Sequence, residues 1–354
     1  MAPSAAEQPW PDEEMLAAHA RAQFGLPAIR CISALPGGWS ARSYRLDVTG
    51  GSAFVLKVYD RSPDGRQWLA ASAERLPLLP RLRQAGFPWL PAPIATPAGS
   101  FVVPFGDFDL LLSEYVPGDH PPADIAAWPE SLVRHLAERV AALHSLVGSE
   151  LSATLPREDY RLVFRAPLLA ALERLRSVGP ADRPGVIGLR DLLLSREAEL
   201  LRLLRRTEQL ADGARGRGAA LVLCHADLHQ QNLILTTEGE LYLLDWEGLR
   251  LAPAEQDLFF WADGVHGEAL LGHYRRARSG ACLNADTFAY YYHYRNLEDL
   301  EAWVSRIVNL DRGEEADRRD LDAIQEYCLR WWNDLAGAAE RVRRRLEAST
   351  KPND

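Results

Sequence analysis

Between the apolar runs LVLC and NLILT lies the segment His225-Ala226-Asp227-Leu228-His229-Gln230-Gln231-Asn232, and the next apolar run ends in Leu244-Asp245-Trp246-Glu247. Asp227 and Asn232 fall on a loop between strands, and Asp245 falls at a strand end. Pairing of the two runs across the turn TEGE would carry all three polar ends to one edge. Hard oxygen ligands gathered at an edge suit Mg²⁺, which takes few protein carboxylates and fills its octahedron with substrate phosphates and water. The chemistry that such a set serves is phosphoryl transfer. Any one of these residues alone is a common cap or turn former. The reading rests on the ordered set: HxDxxxxN, a hairpin, and an Asp at its end.

Composition supplies a second candidate. The chain has 40 Lys+Arg, yet its only lysines are Lys57 and Lys351. Lys351 lies in a polar tail, whereas Lys57 interrupts the apolar run FVLKVY, where a buried ammonium is costly unless it meets an anion. Lys57 therefore needs a partner.

The elements that must position these residues divide the chain in two. Residues 31–59 read as strands (CISAL, RSYRLDV and AFVLKVY) joined by the Gly-rich turns PGGWSA and TGGS. A helix broken by Pro77 and Pro80 spans residues 68–85, and FVVPF and FDLLLSEYV add two strands. Beyond PGDHPPAD the period changes: Leu132, Leu136, Val140 and Leu143 recur at three or four, and residues 161–176 and 189–210 are helical in the same way, with Leu200, Leu201, Leu203 and Leu204 as an apolar face. The expected fold class is α+β, with an antiparallel sheet lobe over residues 1–115, including a helical extension at about 12–25, and a mostly helical lobe over 116–354.

The motif H-x-D-x-x-x-x-N followed by D-W-E resembles the aminoglycoside phosphotransferase and choline kinase group, whose members share a bilobal protein-kinase-like fold. By that resemblance Asp227 orients or deprotonates an acceptor hydroxyl, Asn232 and Asp245 hold Mg²⁺, His225 braces the loop and Asp257 supports it. Ala226 stands where the family pattern often has Gly. The same resemblance gives the first lobe its parts. Gly37, Gly38 and Ser40 form a nucleotide-positioning loop, and Lys57 grips the α- and β-phosphates. Glu74 is its counter-ion. Ser113, Glu114 and Val116 form a hinge whose Glu114 carbonyl and Val116 N–H meet the adenine edge of ATP (or GTP). No Walker A or Rossmann fingerprint is present.

No long activation segment with an APE-like anchor follows Asp245, so a peptide platform is not expected. The segment Tyr290 to Leu300 resembles the C-terminal helix of spectinomycin-type phosphotransferases. Tyr291, Tyr294 and Glu298 share a helix face there, with Asp299 beside them. Carboxylates with aromatic neighbours suit a cationic small-molecule acceptor, such as an amine-bearing sugar or aminocyclitol. His229, Glu247 and His266 are further acceptor-side candidates. Kinases of choline, homoserine, methylthioribose or fructosamine share the same core and form the alternative, as does a nucleotide-binding regulatory pseudokinase, although every catalytic position is filled.

The net charge of −9 argues against nucleic acid as a partner, since a phosphate backbone requires basic stripes. The N-terminus lacks a basic start leading into an apolar run, and no stretch approaches eighteen uninterrupted apolar residues, so neither secretion nor a membrane span is expected. Four cysteines far apart, Cys31, Cys224, Cys282 and Cys328, suggest reduced thiols in a cytoplasmic protein rather than a disulfide framework or zinc site.

Overall fold

The computed structural model describes residues 10–36, 41–146 and 154–348. The N-terminal sheet is organised by alternation. In β2 (Arg42–Val48) Tyr44, Leu46 and Val48 are buried and the residues between them are not, which is the period-two pattern that lets one face pack. β1 (Ile29–Ala34) pairs with β2, and β2 pairs with β3 (Ala53–Asp60). β3 pairs with β6 (Phe108–Glu114), which also takes the short strands β4 (Pro93–Ile94) and β5 (Val103–Phe105), so the sheet is antiparallel throughout. The two-residue β4 left no pattern in the sequence.

Helix α1 (Glu13–Phe24) starts where the Asp12 carboxylate accepts the Glu14 and Met15 N–H groups at 2.9 and 3.1 Å. Its buried residues Leu16, Ala20 and Phe24 pack on Leu46, Leu56, Val58, Phe108 and Leu110 of the sheet. α2 (Pro63–Arg75) gives way through a 3₁₀ turn at Leu76–Leu78 to α3 (Leu79–Gln84), the break expected from Pro77 and Pro80.

The helical part contains α4 (Glu130–His144), α5 (Arg165–Arg176), α6 (Pro184–Leu194), α7 (Glu197–Arg217), α8 (Glu255–Ala262), α9 (Gly267–Ala277), α10 (Ala285–Asn309), α11 (Glu314–Ala323) and α12 (Leu335–Ala348). The helix expected over 189–210 is two helices, because the backbone leaves helical geometry at Arg196 (φ −118°, ψ 14°). α10 runs through two apolar clusters of this helical part. Phe288 to Tyr291 pack with α4, α8 and α9, and Leu297 to Val308 pack with α5, α6, α7 and α11. Among the described residues no helix is long and apolar enough to cross a membrane.

Two small sheets lie within this helical part. β8 (Leu233–Leu235) pairs with β9 (Leu241–Leu243), as the turn TEGE predicts. β7 (Val222–Cys224) pairs instead with β10 (Arg250–Ala252), a strand the sequence did not betray.

The chain leaves β6 through residues 115–118, and Asp119 exchanges two backbone hydrogen bonds with Leu235 on β8, at 3.1 and 2.9 Å. Gly118 makes this crossing possible: its φ is +152°, and a Cβ built there would stand 2.4 Å from the Leu235 carbonyl oxygen. Gly118→Ala is therefore expected to destabilise the protein by about 2 kcal/mol or more, through strain and displacement of β8. An unchanged denaturation midpoint would contradict this close approach.

Candidate active site

The loop between β7 and β8 is clamped from beneath by Asp257 on α8. Its buried carboxylate accepts the backbone N–H groups of His225 at 2.8 Å and Ala226 at 2.7 Å, and it meets His144 Nε2 at 3.1 Å. The other His144 nitrogen is 2.8 Å from the Tyr274 hydroxyl. His144, Cys224 and Asp257 are close enough together to suggest a cation site, but both Asp257 oxygens are already occupied by these donors. The cluster braces the loop.

His225, fully buried, donates from Nε2 to the Leu244 carbonyl at 2.6 Å and accepts the Asp227 N–H at Nδ1, at 3.3 Å. It thus joins the loop to the segment after β9 that carries Asp245. Ala226 has φ +69°, a left-handed conformation that costs a residue with a Cβ about 1–2 kcal/mol. Its N–H donates to Asp257 and its carbonyl accepts from Gln256 Nε2 at 3.2 Å, and these two bonds hold it there. Asp245, at φ +58°, is likewise left-handed, and such strain collects where surrounding structure fixes a side chain for a purpose.

These contacts set the geometry of the polar trio. Asn232 donates from its side-chain nitrogen to the Asp227 backbone carbonyl at 2.8 Å and to Asp227 Oδ2 at 3.2 Å, which leaves its amide oxygen as the group it can offer a cation. The Leu244 N–H donates to the Asn232 carbonyl at 2.8 Å, so Asn232 and Asp245 stand at the same open end of the β8–β9 hairpin. The Asp227 carboxylate takes Arg295 Nη1 at 2.7 Å on Oδ1 and lies 3.5 Å from His229 Nε2 on Oδ2. Burial opposes its charge, but Arg295 and His229 outweigh burial and hold its pKa well below the ordinary carboxylate range.

On the sheet side, Lys57 reaches Asp245 Oδ1 at 2.7 Å and Glu247 Oε1 at 2.9 Å. The same Glu247 oxygen accepts from the Tyr59 and Ser72 hydroxyls, each at 3.2 Å. Burial works against the ammonium, yet the two carboxylates outweigh it and keep the Lys57 pKa well above its usual value. The expected partner, Glu74, is elsewhere: its side chain is 72% exposed and pairs with its neighbour Arg75. Glu247 is likewise not on the acceptor side where the sequence reading put it; it is the buried counter-ion of Lys57, only 12% exposed.

The linker candidates lie at the end of the sheet. Ser113 stands opposite Val55 on β3 and Pro93 on β4, and the Glu114 carboxylate accepts the Ala92 N–H at 3.1 Å and meets Arg83 at 3.0 Å. Val116 follows in the segment leading to Gly118. Gly37, Gly38 and Ser40 lie outside the described residues.

The acceptor-side candidates on α10 separate. Tyr291 is 1% exposed and its hydroxyl donates to Glu158 Oε2 at 3.3 Å, so it belongs to the core. Tyr294 is half-buried, packed edge-on against Phe164 at 5.1 Å. Burial pushes Glu298 up to about 7 against the pull of Arg295. Asp299 Oδ2 accepts from Arg295 Nε at 3.0 Å. His229 stands edge-on to Phe260 at 5.8 Å. His266 donates to the Ile125 carbonyl at 3.0 Å, in a crevice shared with Trp128 and Phe260. Sequence reasoning missed Arg295, Tyr59, Ser72 and Glu158. The Arg295–Asp299 spacing of four was a legible helix pair, but nothing local linked either residue to Asp227.

Comparison with known proteins agrees with this architecture. A profile of the phosphotransferase enzyme family (APH) matches residues 32–300. No curated protein matches the chain. Among solved structures, the spectinomycin phosphotransferase APH(9)-Ia, in complex with ADP and spectinomycin, superposes with a TM-score of 0.74 at 18% identity, over 94% of this chain and 100% of its own. An aminoglycoside phosphotransferase from Alicyclobacillus acidocaldarius subsp. acidocaldarius gives 0.60 at 16% identity, over 96% of this chain and 99% of its own. The GDP and kanamycin complex of APH(2")-IIIa gives 0.57 at 14% identity, over 95% and 99%. The antiparallel N-terminal sheet, the helical C-terminal region and the matched span together place the chain in the phosphotransferase enzyme family, as a protein-kinase-like phosphotransferase with an alcohol group as acceptor.

Proposed function

We propose that the protein transfers the γ-phosphoryl group of ATP (or GTP) to a hydroxyl of an amine-bearing sugar or aminocyclitol. One observation carries the reading: the Asp227–Asn232 pair and the Lys57–Asp245 pair meet at the open end of a single hairpin, one pair facing α10 and the other the sheet. The relatives described above hold ADP with spectinomycin and GDP with kanamycin, which supports a nucleotide on the sheet side and an amine-bearing polyol on the helix side. Residues 1–115 then form the nucleotide lobe and 116–354 the acceptor lobe, with Ser113, Glu114 and Val116 lining the adenine edge between them.

The donor set fits Mg²⁺. The Asn232 amide oxygen and the second Asp245 oxygen are hard ligands, and the Asp245 side chain is 46% exposed. Bound there, the ion would neutralise charge on the β- and γ-phosphates. Lys57, released from Asp245 by the incoming phosphates, grips the α- and β-phosphates while Glu247 keeps it in place. Asp227 accepts the hydrogen bond of the acceptor hydroxyl and aims its oxygen at the γ-phosphorus. The new O–P bond forms as the bond to the bridging oxygen breaks; its electrons leave with the nucleoside diphosphate, and the hydroxyl proton passes through Asp227 to water. The low proton affinity of Asp227 suits it to orient the hydroxyl and pass the proton on rather than keep it.

Coupled measurement of nucleoside diphosphate release, with spectinomycin, kanamycin, other amino sugars, choline and homoserine as acceptors, tests the reading. Stimulation by an amine-bearing sugar or aminocyclitol is expected. Stimulation by choline or homoserine alone would favour a metabolic kinase, and nucleotide binding without stimulated release would favour a regulatory module.

A further inference from the structure

Two carboxylates on the acceptor side share one fixed cation. Arg295 Nη1 bonds Asp227 Oδ1 at 2.7 Å, and Arg295 Nε bonds Asp299 Oδ2 at 3.0 Å. This arginine is anchored independently of Asp227. Asp299 lies one helical turn along α10, and the Phe260 ring is 5.5 Å from the guanidinium. A planar guanidinium bonded at two edges is also a poor candidate for casual displacement.

A site that binds a polycation through its ammonium groups needs carboxylates whose charge is not already compensated. Here the carboxylate that meets the acceptor hydroxyl and its neighbour Asp299 are both compensated from within. We propose, building on the phosphotransferase reading above, that Arg295 is a specificity-determining residue: a built-in counter-cation that takes, between Asp227 and Asp299, the place an ammonium of a polycationic acceptor would need. The hydroxyl offered to Asp227 then comes from an uncharged stretch of the acceptor. Its amine is received at Glu298, the carboxylate of this helix segment that Arg295 does not bond, with the half-buried Tyr294 one turn before it. The class of acceptor favoured is a sugar or cyclitol whose amines are few and set apart from the reacting hydroxyl.

The test is a binding comparison that needs no turnover. Kanamycin serves as the polycationic probe, titrated calorimetrically at low salt into wild type, Arg295→Gln and Arg295→Lys. Binding of ATP with Mg²⁺ serves as the check that each variant is folded. Arg295→Gln should bind kanamycin at least about tenfold more tightly than wild type, because the carboxylates lose their internal partner. Arg295→Lys, which keeps the charge, should stay near wild type. Equal or weaker kanamycin binding by a nucleotide-competent Arg295→Gln overturns the proposal, as does a Lys variant that gains as much as the Gln variant. If Arg295→Gln fails to bind nucleotide, Arg295→Met, which keeps an apolar stem near Phe260, takes its place with the same two outcomes. Failure of the wild type to phosphorylate any acceptor would count against the phosphotransferase reading and leave this comparison intact.

Discussion

Asp227→Asn is expected to reduce phosphoryl transfer by about 10²- to 10⁴-fold while leaving nucleotide affinity close to that of the wild type. The asparagine keeps the size of the side chain and can still take a hydrogen bond from Arg295, which retains Asp299 as its second partner. The amide loses the charge that draws the acceptor hydroxyl into line and passes on its proton. Lys57 bonds both Asp245 and Glu247 and not Asp227, and Asn232 keeps its 2.8 Å bond to the backbone carbonyl of residue 227, so the phosphate side stays in place. The split is read by measuring kcat alongside the dissociation constant of the Mg²⁺-nucleotide complex. Near-normal turnover would remove Asp227 from its role. A matching loss of nucleotide affinity would mean that the two sides of the site are not separable.

Asp245→Asn should show the opposite split. Asparagine tolerates the left-handed backbone found at this position, so the substitution removes a charge without adding strain. Lys57 keeps Glu247, which also holds Tyr59 and Ser72, and the sheet side stays organised. What is lost is the anionic oxygen available to Mg²⁺. Affinity for the nucleotide in the presence of Mg²⁺ is expected to fall at least as far as the about 10- to 100-fold seen when an outer-shell partner of a metal site is removed. Affinity without Mg²⁺ should change little. Calorimetry with and without the ion separates the two, and unchanged Mg²⁺-dependent affinity would exclude Asp245 as a ligand.

The two variants probe parts of the site that were unequally legible in the sequence. The trio was legible because it is local. Asp227 and Asn232 share one loop, and Asp245 is one short hairpin away, so strand periodicity and a turn sufficed to bring them to one end. Lys57 was legible through energetics, since a lone ammonium in an apolar strand requires an anion. The identity of that anion was not. Glu74 is the sequence-near carboxylate, but Ser72 is buried against Glu247, and residues two apart on a helix point about 200° away from each other. With Ser72 turned inward, Glu74 has to face water. The true partner is 190 positions away in sequence, and only the docking of the sheet on the β8–β9 hairpin brings it in.

Helix α10 shows the same limit. A period of three and four placed Tyr291, Tyr294 and Glu298 on one face, but which part of that face the core covers depends on Phe259 and Glu158. Tyr291 is buried by them, and the half-buried part begins at Tyr294. Arg295, the residue closest to Asp227 from this helix, was inside the segment singled out and was passed over. An arginine four residues before an aspartate reads as a surface pair until the fold sets a second carboxylate against it.

The most direct measurement is of the acceptor itself. After incubation with the protein, Mg²⁺ and ATP or GTP, mass spectrometry of each amine-bearing sugar and aminocyclitol should find at least one carrying a single added phosphoryl group, in amounts equal to the nucleoside diphosphate formed and abolished by Asp227→Asn. Diphosphate formed with no phosphorylated acceptor, or a phosphorylated product that forms as readily with Asp227→Asn, would contradict the account.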